Sequence, residues 1–226
     1  MRRLRAPPYL QIALDEPNLD AAKKVISRLP ENGKILLEAG TPLIRRYGTR
    51  VLNELRATAG NRFLVADLKT LDAGKFEADL AQEGTADAAV ASGLAHRKTL
   101  DAFIGEAKTI GMYAAVDMLN VEDPVNKLKV LDAFPDIVIL HRGIDQECGR
   151  VLGLELVPAI HNEFPNEDFL VAMAGGVTPE TAGEALWRGA DIIVVGRFVT
   201  QAADVKAAVR LFLVMPAFKK RQRSRF

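Results

Sequence analysis

Short apolar runs recur along this chain at intervals of roughly 20–30 residues, with helical patterns between them. Most runs are almost continuously apolar, which is typical of strands buried on both faces of a parallel sheet. The eight runs are Tyr9–Asp15, Lys34–Gly40, Phe63–Lys69, Asp87–Gly93, Met112–Leu119, Ile137–Gly143, Phe169–Val177 and Ile192–Arg197. The clearest helical patterns are Leu19–Leu29, Arg50–Ala59, Gly74–Gln82, Arg97–Ile110, Pro124–Phe134, Pro179–Arg188 and Gln201–Val214.

Eight alternating strand and helix patterns predict a parallel sheet with right-handed crossovers that closes into a single-domain (β/α)8 TIM barrel. The length of 226 residues and a hydrophobic content of 49% suit one such barrel. We expect an N-terminal extension over residues 1–8, the barrel over 9–216 and a basic tail over 217–226. The weakest stretch is Gln146–Glu167, which Pro158 interrupts, so we predict a broken helix or a loop with a short helix there.

Asn, Asp and Thr residues stand where several helices should begin, and such residues are preferred helix N-caps. The predicted N-caps are Asn18, Asp72, Asp123 and Thr178.

Composition excludes several classes of protein. The net charge of +1 does not favour nucleic acid or a membrane surface as a partner, and no apolar run approaches the ~20 residues of a membrane helix. The only cysteine, Cys148, cannot form an intrachain disulfide and is interpreted as structural. We therefore expect a cytoplasmic protein that binds neither membrane nor nucleic acid. The basic tail is interpreted as a solvated end in preference to a nucleic-acid contact.

Unusual polar residues end six of the predicted strands, and active sites of TIM barrels gather at the C-terminal ends of their strands. We therefore predict one catalytic site built from these side chains. They are Asp15, Glu38, Asp67 with Lys69, Asp117, His141 and Arg197.

The segment that ends the third strand carries an Asp-x-Lys-x-x-Asp pattern formed by Asp67, Lys69 and Asp72. Asp67 and Lys69 share one face of a strand, and Asp72 follows just beyond. Neighbouring carboxylates favour the ammonium form of Lys69, which argues for a fixed positive charge and against an imine-forming lysine. A surface ion-pair cluster that caps a helix is the alternative interpretation.

Other residue types in this set suggest specific tasks. Glu38 and Asp67 end neighbouring strands, and two carboxylates suit Mg²⁺, although two solvated carboxylates at a rim remain possible. His141 can take and return a proton near neutral pH, and Asp117 could orient a group or handle a second proton. Asp15 could bind substrate or cap the first helix.

Two glycine-bearing loops end the seventh and eighth strands, and TIM barrels often bind phosphate at these loops. Gly175, Gly176 and Gly196 let backbone N–H groups approach an anion, and Arg197 can add a charged contact. Glycines that serve only tight turns are the alternative. We infer a phosphorylated substrate.

Several motifs together resemble the orotidine 5′-monophosphate decarboxylase superfamily over about Tyr9–Val214, and most closely the branch that holds 3-hexulose-6-phosphate synthases and 3-keto-L-gulonate-6-phosphate decarboxylases. The motifs are Ala66–Gly74, Glu38–Ile44, Ala174–Pro179 and Val195–Arg197. The resemblance implies that Glu38 and Asp67 hold Mg²⁺ and that Asp15 contacts substrate. It also implies a homodimer in which Asp72 reaches into the active site of the partner subunit.

The two activities of this branch differ at the ends of strands five and six. The decarboxylases resemble a pattern with Glu ending strand five and Arg three residues after the strand-six histidine, whereas this chain has Asp117 and Ile144. The string His141–Asp145 resembles the synthases. The resemblance thus implies an aldehyde-lyase that condenses D-ribulose 5-phosphate with formaldehyde, or runs the reverse cleavage, through an enediolate stabilised by Mg²⁺. There are three alternatives: a sugar-phosphate or nucleotide decarboxylase on the same barrel, another phosphate-binding barrel such as an isomerase or epimerase, and a non-catalytic phosphate sensor.

Overall fold

The computed structural model describes residues 4–143 and 153–219, which form a closed barrel of eight parallel strands. Each strand pairs with its neighbours in sequence, and the last strand pairs with the first, Tyr9 lying opposite Ile192. The strands are β1 (Tyr9–Leu14), β2 (Ile35–Ala39), β3 (Leu64–Thr70), β4 (Ala88–Ser92), β5 (Tyr113–Asp117), β6 (Ile137–His141), β7 (Leu170–Ala174) and β8 (Ile192–Val195). The predicted (β/α)8 barrel is confirmed.

Helices alternate with the strands and cover the outside of the barrel. They are α1 (Leu19–Arg28), α2 (Thr41–Tyr47), α3 (Arg50–Ala59), α4 (Gly74–Glu83), α5 (Arg97–Thr109), α6 (Pro124–Lys129), α7 (Leu156–Glu163), α8 (Pro179–Trp187), α9 (Arg197–Thr200), α10 (Val205–Leu213) and α11 (Pro216–Lys219). Within residues 4–143 and 153–219, no helix is both long enough and apolar enough to cross a membrane.

Some helix bounds differ from the sequence prediction, and tertiary contacts give the reason. The helix α6 ends at Lys129 instead of Phe134, because the Asp101 carboxylate on α5 accepts the backbone N–H groups of Asp132 and Ala133. The helix α10 begins at Val205, capped by the Asp204 side chain, which accepts the N–H of Ala207 at 2.9 Å. The predicted short helix near Pro158 is α7.

Three of the four predicted N-caps are confirmed, and one is wrong. Asn18 accepts the N–H of Ala21, Asp123 accepts that of Asn126, and Thr178 begins α8. Asp72 does not cap α4. Its N-cap is Ala73, in a left-handed conformation with φ of 52° and without a side-chain cap. Because Ala73 in this left-handed conformation occupies the cap position, Asp72 lies one residue before the cap, where it is exposed.

Alternate residues of each strand point into the barrel and form a buried interior cluster. Its members are Tyr9, Ala13, Leu36, Phe63, Val65, Ala88, Val90, Ala115, Ile137, Ile139, Ala172, Ala174, Ile192 and Val194. The remaining strand residues pack outward against the helices. At the N-terminal end of the barrel, Leu4 packs against the interior cluster and donates its N–H to the Tyr113 hydroxyl. Leu4 thus covers the interior at this end, whereas a large cavity opens at the C-terminal end of the barrel.

Three aspartates that directly precede even-numbered strands fix the strand register. Asp87, Asp136 and Asp191 precede β4, β6 and β8. Each carboxylate accepts a backbone N–H of the preceding strand, at distances of 2.9, 2.8 and 3.0 Å. Because a slip of one residue would turn every inward side chain outward, these hydrogen bonds help to keep the site residues on the inner face.

Close packing of α4 on α5 predicts a strong effect of a single methyl group. A Cβ atom added at Gly74 would lie 2.3 Å from the backbone oxygen of Thr99 and 2.9 Å from the backbone nitrogen of Phe103. We expect Gly74→Ala to destabilise the protein by about 1–3 kcal/mol in urea denaturation, because backbone atoms of α5 must shift. Gly105→Ala is the matched control, since nothing lies within 4 Å of its Cβ, and it should be neutral or stabilising by ~0.5–1 kcal/mol. Equal effects of the two substitutions would contradict this account of the packing.

Candidate active site

A cavity of about 1020 Å³ opens at the C-terminal end of the barrel. Every site residue predicted from the sequence lines it except Asp72. They are Asp15, Glu38, Asp67, Lys69, Asp117, His141, Gly175, Gly176, Gly196 and Arg197. The structure therefore brings these ten positions together around one cavity, and their roles in catalysis and binding stay predictions.

The strand periodicity explains why these side chains converge. Glu38, Asp67, Asp117 and His141 each stand two residues after a member of the interior cluster, so each continues an inward-facing row. In β3, for example, Val65 lies inside the barrel, Asp67 and Lys69 line the cavity, and Leu68 packs outward. The apolar interior thus ends in a charged upper layer.

Lys69 is the centre of the charged layer. Its Nζ atom donates to Asp67 Oδ2 at 2.9 Å and to Asp117 Oδ2 at 2.6 Å. Burial opposes the charged form, but the two carboxylates outweigh it and raise the pKa of Lys69. The predicted fixed ammonium is thus supported, with Asp117 instead of Asp72 as the second carboxylate. Lys69 has a φ of 47°, and the pairing of β3 with β4 is irregular after Ala66. Such left-handed backbone is uncommon outside glycine and is often found at functional sites.

Asp117 joins Lys69 to His141. The Asp117 Oδ2 atom lies 2.8 Å from His141 Nδ1, and its Oδ1 atom accepts the N–H of Leu119 at 2.9 Å. Burial opposes ionisation of Asp117, but hydrogen bonding and charge from His141 and Lys69 lower its pKa. An ionised carboxylate only accepts hydrogen bonds, so His141 Nδ1 carries the proton. In the neutral imidazole, Nε2 is then the basic atom.

Three carboxylates on the first three strands repel one another. Burial, followed by the charges of Asp67 and Asp15, raises the pKa of Glu38 to about 8. Burial and the charge of Asp67 also raise the pKa of Asp15. Asn18, not Asp15, caps α1, so the capping alternative for Asp15 is excluded.

The same carboxylates fit a hard divalent cation. Among the described residues, Asp67 Oδ1 is buried without a hydrogen-bond partner. A cation beside Asp67 and Glu38 would satisfy this atom and offset the repulsion. The described part of the chain holds no group of three or more His, Cys, Asp or Glu side chains arranged as metal ligands. Mg²⁺ does not need such a group, since it commonly uses one or two carboxylates together with water and substrate oxygens.

The glycine loops border the opposite side of the cavity. Gly175 and Gly176 have φ values of 96° and 61°, and a Cβ atom at Gly175 would lie 2.0 Å from the backbone oxygen of Arg142. The backbone conformation and this close contact are therefore sufficient to require glycine at position 175, so its presence is not evidence for a bound ligand. Gly176 lines the cavity near the start of α8, and Arg197 is exposed at its mouth. These loops could hold an anion through backbone N–H groups.

A family model described as orotidine 5′-phosphate decarboxylase / HUMPS family matches residues 8–212. The chain belongs to this family. A relative, the bifunctional enzyme Fae/Hps of Methanocella arvoryzae, is 46% identical over 212 residues, which are 93% of this chain and 54% of the relative. The chain thus spans about half the length of the curated relatives it matches.

Solved structures of the same fold are also similar over most of the chain. The 3-hexulose-6-phosphate synthase from Salmonella typhimurium has a TM-score of 0.82 and 27% identity, with 90% of this chain and 96% of that one covered. The 3-keto-L-gulonate-6-phosphate decarboxylase from Vibrio cholerae has a TM-score of 0.77 and 26% identity, with coverages of 91% and 95%. The predicted family resemblance is confirmed.

Within this family fold, Asp72 stands apart from the other predicted residues. It is exposed beyond the end of β3 and does not line the cavity of its own chain. Exposed apolar side chains lie nearby in sequence or on the next loop, namely Leu71, Phe76 and Leu94 at 59%, 62% and 55% exposure.

Two side chains that donate hydrogen bonds to the site carboxylates were missed by the sequence analysis. Gln11, in β1, donates to Glu38 Oε2, and Thr41, at the start of α2, donates to Asp67. A buried glutamine inside an otherwise apolar strand is a signal that could have identified Gln11. Thr41 was included in the Glu38–Ile44 motif without a role, because the helix α2 that positions it was not predicted.

Other predictions concern residues away from the cavity or outside the described part. His96 caps α5, and His161 stacks on Phe169 and contacts the Gly189 oxygen, so both histidines support the fold outside the cavity. Ile144, Asp145 and Cys148 lie outside the described residues, as do Met1–Arg3 and most of the basic tail.

The raised pKa of Glu38 predicts how this family member responds to pH without metal. The folded-state pKa of about 8 lies above the 4.5 of a solvated glutamate, so the folded state binds this proton more tightly and stability falls as pH rises between these values. In the presence of a chelator, Glu38→Gln should raise the Tm at pH 8 by about 4 °C or more, and by less at pH 5. Thermal melts at both pH values measure this difference.

Glu54→Gln is the matched control, because Glu54 is exposed and the hydrogen bond and charge of Lys23 lower its pKa. It should not stabilise the protein at pH 8. A Glu38→Gln variant that melts below the wild type at pH 8 in chelator would contradict the account of repulsion.

Proposed function

We propose that this chain is an aldehyde-lyase that condenses D-ribulose 5-phosphate with formaldehyde to give 3-hexulose 6-phosphate, or runs the reverse cleavage. The observation that carries the proposal is the hydrogen-bonded chain from Lys69 through Asp117 to His141, at distances of 2.6 and 2.8 Å, beside the carboxylates of Glu38 and Asp67. It combines a fixed cation, an oriented base and a pair of hard ligands. Similarity to relatives named Fae/Hps and to a 3-hexulose-6-phosphate synthase supports the same reaction.

Glu38 and Asp67 would hold Mg²⁺, and their repulsion together with the unpartnered Asp67 Oδ1 supports this assignment. When bound, Mg²⁺ would supply positive charge beside the carbonyl of the sugar. The Gly175–Gly176 turn, Gly196 and Arg197 would bind the phosphate, while Asp15 would contact the sugar near β1. Binding the phosphate at one side of the cavity fixes the reacting carbon relative to His141 on the other.

Proton transfer is the task of His141. Its Nε2 atom would remove a proton from the hydroxymethyl carbon next to the sugar carbonyl, and Asp117 would stabilise the resulting imidazolium. The Lys69 ammonium would donate a hydrogen bond to the developing enediolate oxygen. The enediolate carbon would then attack the carbon of formaldehyde. The new alkoxide would take the proton back from His141, so that no proton is gained or lost.

Decarboxylation of 3-keto-L-gulonate 6-phosphate is the second candidate, because a decarboxylase of this specificity is among the similar structures. Asp117 at the end of β5 favours the synthase, since the decarboxylase pattern has glutamate there. Lys69 and His141 keep Asp117 ionised, so its carboxylate only accepts hydrogen bonds and has no proton to give to a carbanion.

The reaction assignment predicts a ratio of activities. The wild type with Mg²⁺ should consume formaldehyde with ribulose 5-phosphate, and it should decarboxylate 3-keto-L-gulonate 6-phosphate weakly or not at all. A chelator or Asp67→Ala should lower the condensation by about 100-fold or more, because charge stabilisation of the enediolate is lost. Glu54→Gln, at an exposed residue of α3 that does not line the cavity, should retain activity. Measuring kcat/KM for both reactions tests the choice between synthase and decarboxylase. A larger kcat/KM for decarboxylation than for condensation would refute the synthase assignment.

We further propose that the working unit is a homodimer whose active sites are shared, with the partner subunit's Asp72 completing each cavity. The exposure of Asp72 outside its own cavity and the exposed Leu71, Phe76 and Leu94 support this arrangement. Apolar side chains with such exposure commonly mark contact surfaces when they are contiguous. A site that depends on a second copy would also explain why an aspartate in the recognised motif is absent from the cavity lining.

Shared sites predict complementation between inactive variants. Asp72→Ala and Lys69→Ala should each be inactive, whereas a mixture after subunit exchange should recover about a quarter of wild-type activity, because half the dimers are hybrids with one intact site. The control mixture of Lys69→Ala with His141→Ala should recover nothing, since both residues line the same cavity. No recovery in the first mixture, despite exchange verified by mass spectrometry, would argue against sharing.

A further inference from the structure

We infer that Thr41 is a positioning residue, which orients the carboxylate of Asp67 so that its Oδ1 atom is available to a bound divalent cation. This inference rests on the metal site in the proposed function, but not on the identity of the sugar or of the reaction. Thr41 is the first residue of α2 and is 8% exposed.

The contacts of Thr41 link two strands at the carboxyl end of the barrel. Its Oγ1 atom lies 2.7 Å from Asp67 Oδ2 and 3.0 Å from the Asp67 backbone oxygen. A hydroxyl has one hydrogen, so it can donate to only one of these acceptors at a time. The shorter distance favours the carboxylate. Thr41 thereby connects the end of β2 to the side chain that β3 presents to the cavity.

The two oxygens of Asp67 consequently differ. Oδ2 receives hydrogen bonds from Thr41 and from the Lys69 ammonium, at 2.7 and 2.9 Å. Oδ1 is buried and has no hydrogen-bond partner among the described residues. A buried carboxylate oxygen without a hydrogen-bond partner lowers the stability of the folded protein. Its orientation therefore persists only where neighbouring groups hold the carboxylate in place. Two donors on Oδ2, from Thr41 and Lys69, restrict the rotation of the carboxylate more than the Lys69 ammonium alone would.

The backbone before Thr41 is fixed as well. The Gly40 N–H donates to the Leu14 oxygen at 3.1 Å, which joins the end of β2 to β1. A Cβ atom at Gly40 would lie 2.9 Å from the Leu14 backbone oxygen and 2.0 Å from Asp15 Oδ1, so a larger residue would force both β1 backbone and the Asp15 side chain to shift. The Gly40–Thr41 turn is therefore tied to β1 on one side and to Asp67 on the other. Such outer hydrogen bonds commonly alter metal affinity by about 10–100-fold when they are removed.

The test measures cation binding directly, with Mn²⁺ as the probe. Thr41→Val keeps the branched shape and removes the hydroxyl, and Thr41→Ser keeps the hydroxyl. We expect Mn²⁺ binding to Thr41→Val, measured by electron paramagnetic resonance and calorimetry, to weaken about tenfold or more. Thr41→Ser should bind within about threefold of the wild type, since it restores the donor.

Two further measurements separate positioning from a loss of structure. Thr109→Val is the matched control, because the Thr109 hydroxyl donates to the Gly105 oxygen on the exposed side of α5, away from the cavity lining. It should bind Mn²⁺ as the wild type does. Thermal melts in chelator should show that Thr41→Val is folded. If valine prevents folding, Thr41→Ala is used in its place for the binding measurement. In turnover assays, the Mg²⁺ concentration for half-maximal activity should rise at least as much as the Mn²⁺ dissociation constant, with kcat at saturating Mg²⁺ nearly retained.

The outcomes distinguish this inference from the proposed reaction. Wild-type Mn²⁺ affinity in folded Thr41→Val would overturn the positioning role, even if the enzyme makes hexulose phosphate. A wild type that binds no Mn²⁺ would overturn both the positioning role and the metal site. A wild type that binds Mn²⁺ but does not condense formaldehyde would refute the proposed reaction alone, and weaker binding by Thr41→Val would still support the role of Thr41.

Discussion

The alternation of side chains across each strand of a closed barrel is the constraint on which the site depends. Every second residue must enter a limited interior, and the apolar members of these rows fill it as far as Leu36, Val65, Ala115 and Ile139. The next inward position on each strand lies at the border of the cavity, where charged groups retain access to solvent, substrate or ions. The fold therefore concentrates its polar residues in one layer without any of them being adjacent in sequence.

Charge balance within that layer depends on Lys69. Its ammonium contacts two carboxylates, and one of these, Asp117, also holds His141. This arrangement keeps Asp117 ionised and the lysine charged, while Glu38, further from the ammonium, has a pKa raised to about 8 by burial and by its acidic neighbours. One part of the layer is thus neutralised internally and orients the base. The other part carries unbalanced negative charge, which is the property that a cation site requires.

Supporting hydrogen bonds determine how these groups are oriented. Gln11 and Thr41 are neutral donors that each contact one oxygen of a carboxylate, on Glu38 and Asp67 respectively. Below them, the aspartates that precede β4, β6 and β8 hold the strands in register. The site is accordingly built on backbone that is fixed at both ends of the strands. Preorganisation of this kind reduces the rearrangement needed when substrate binds.

The sequence by itself determined the barrel, the strands and ten of the residues that line the cavity, because strand periodicity and the positions of polar residues at strand ends are local properties of the chain. Tertiary structure decided which of those residues contact one another. Lys69 was expected between Asp67 and Asp72, but the second carboxylate is Asp117 on β5. That strand is distant in sequence and lies beyond β4, so the contact exists because inward side chains converge inside the closed barrel. Thr41 gained its contact because an unpredicted helix begins there, and α6 ended early because Asp101 took its backbone N–H groups. Such pairings depend on distances between elements, which no local pattern in the sequence encodes.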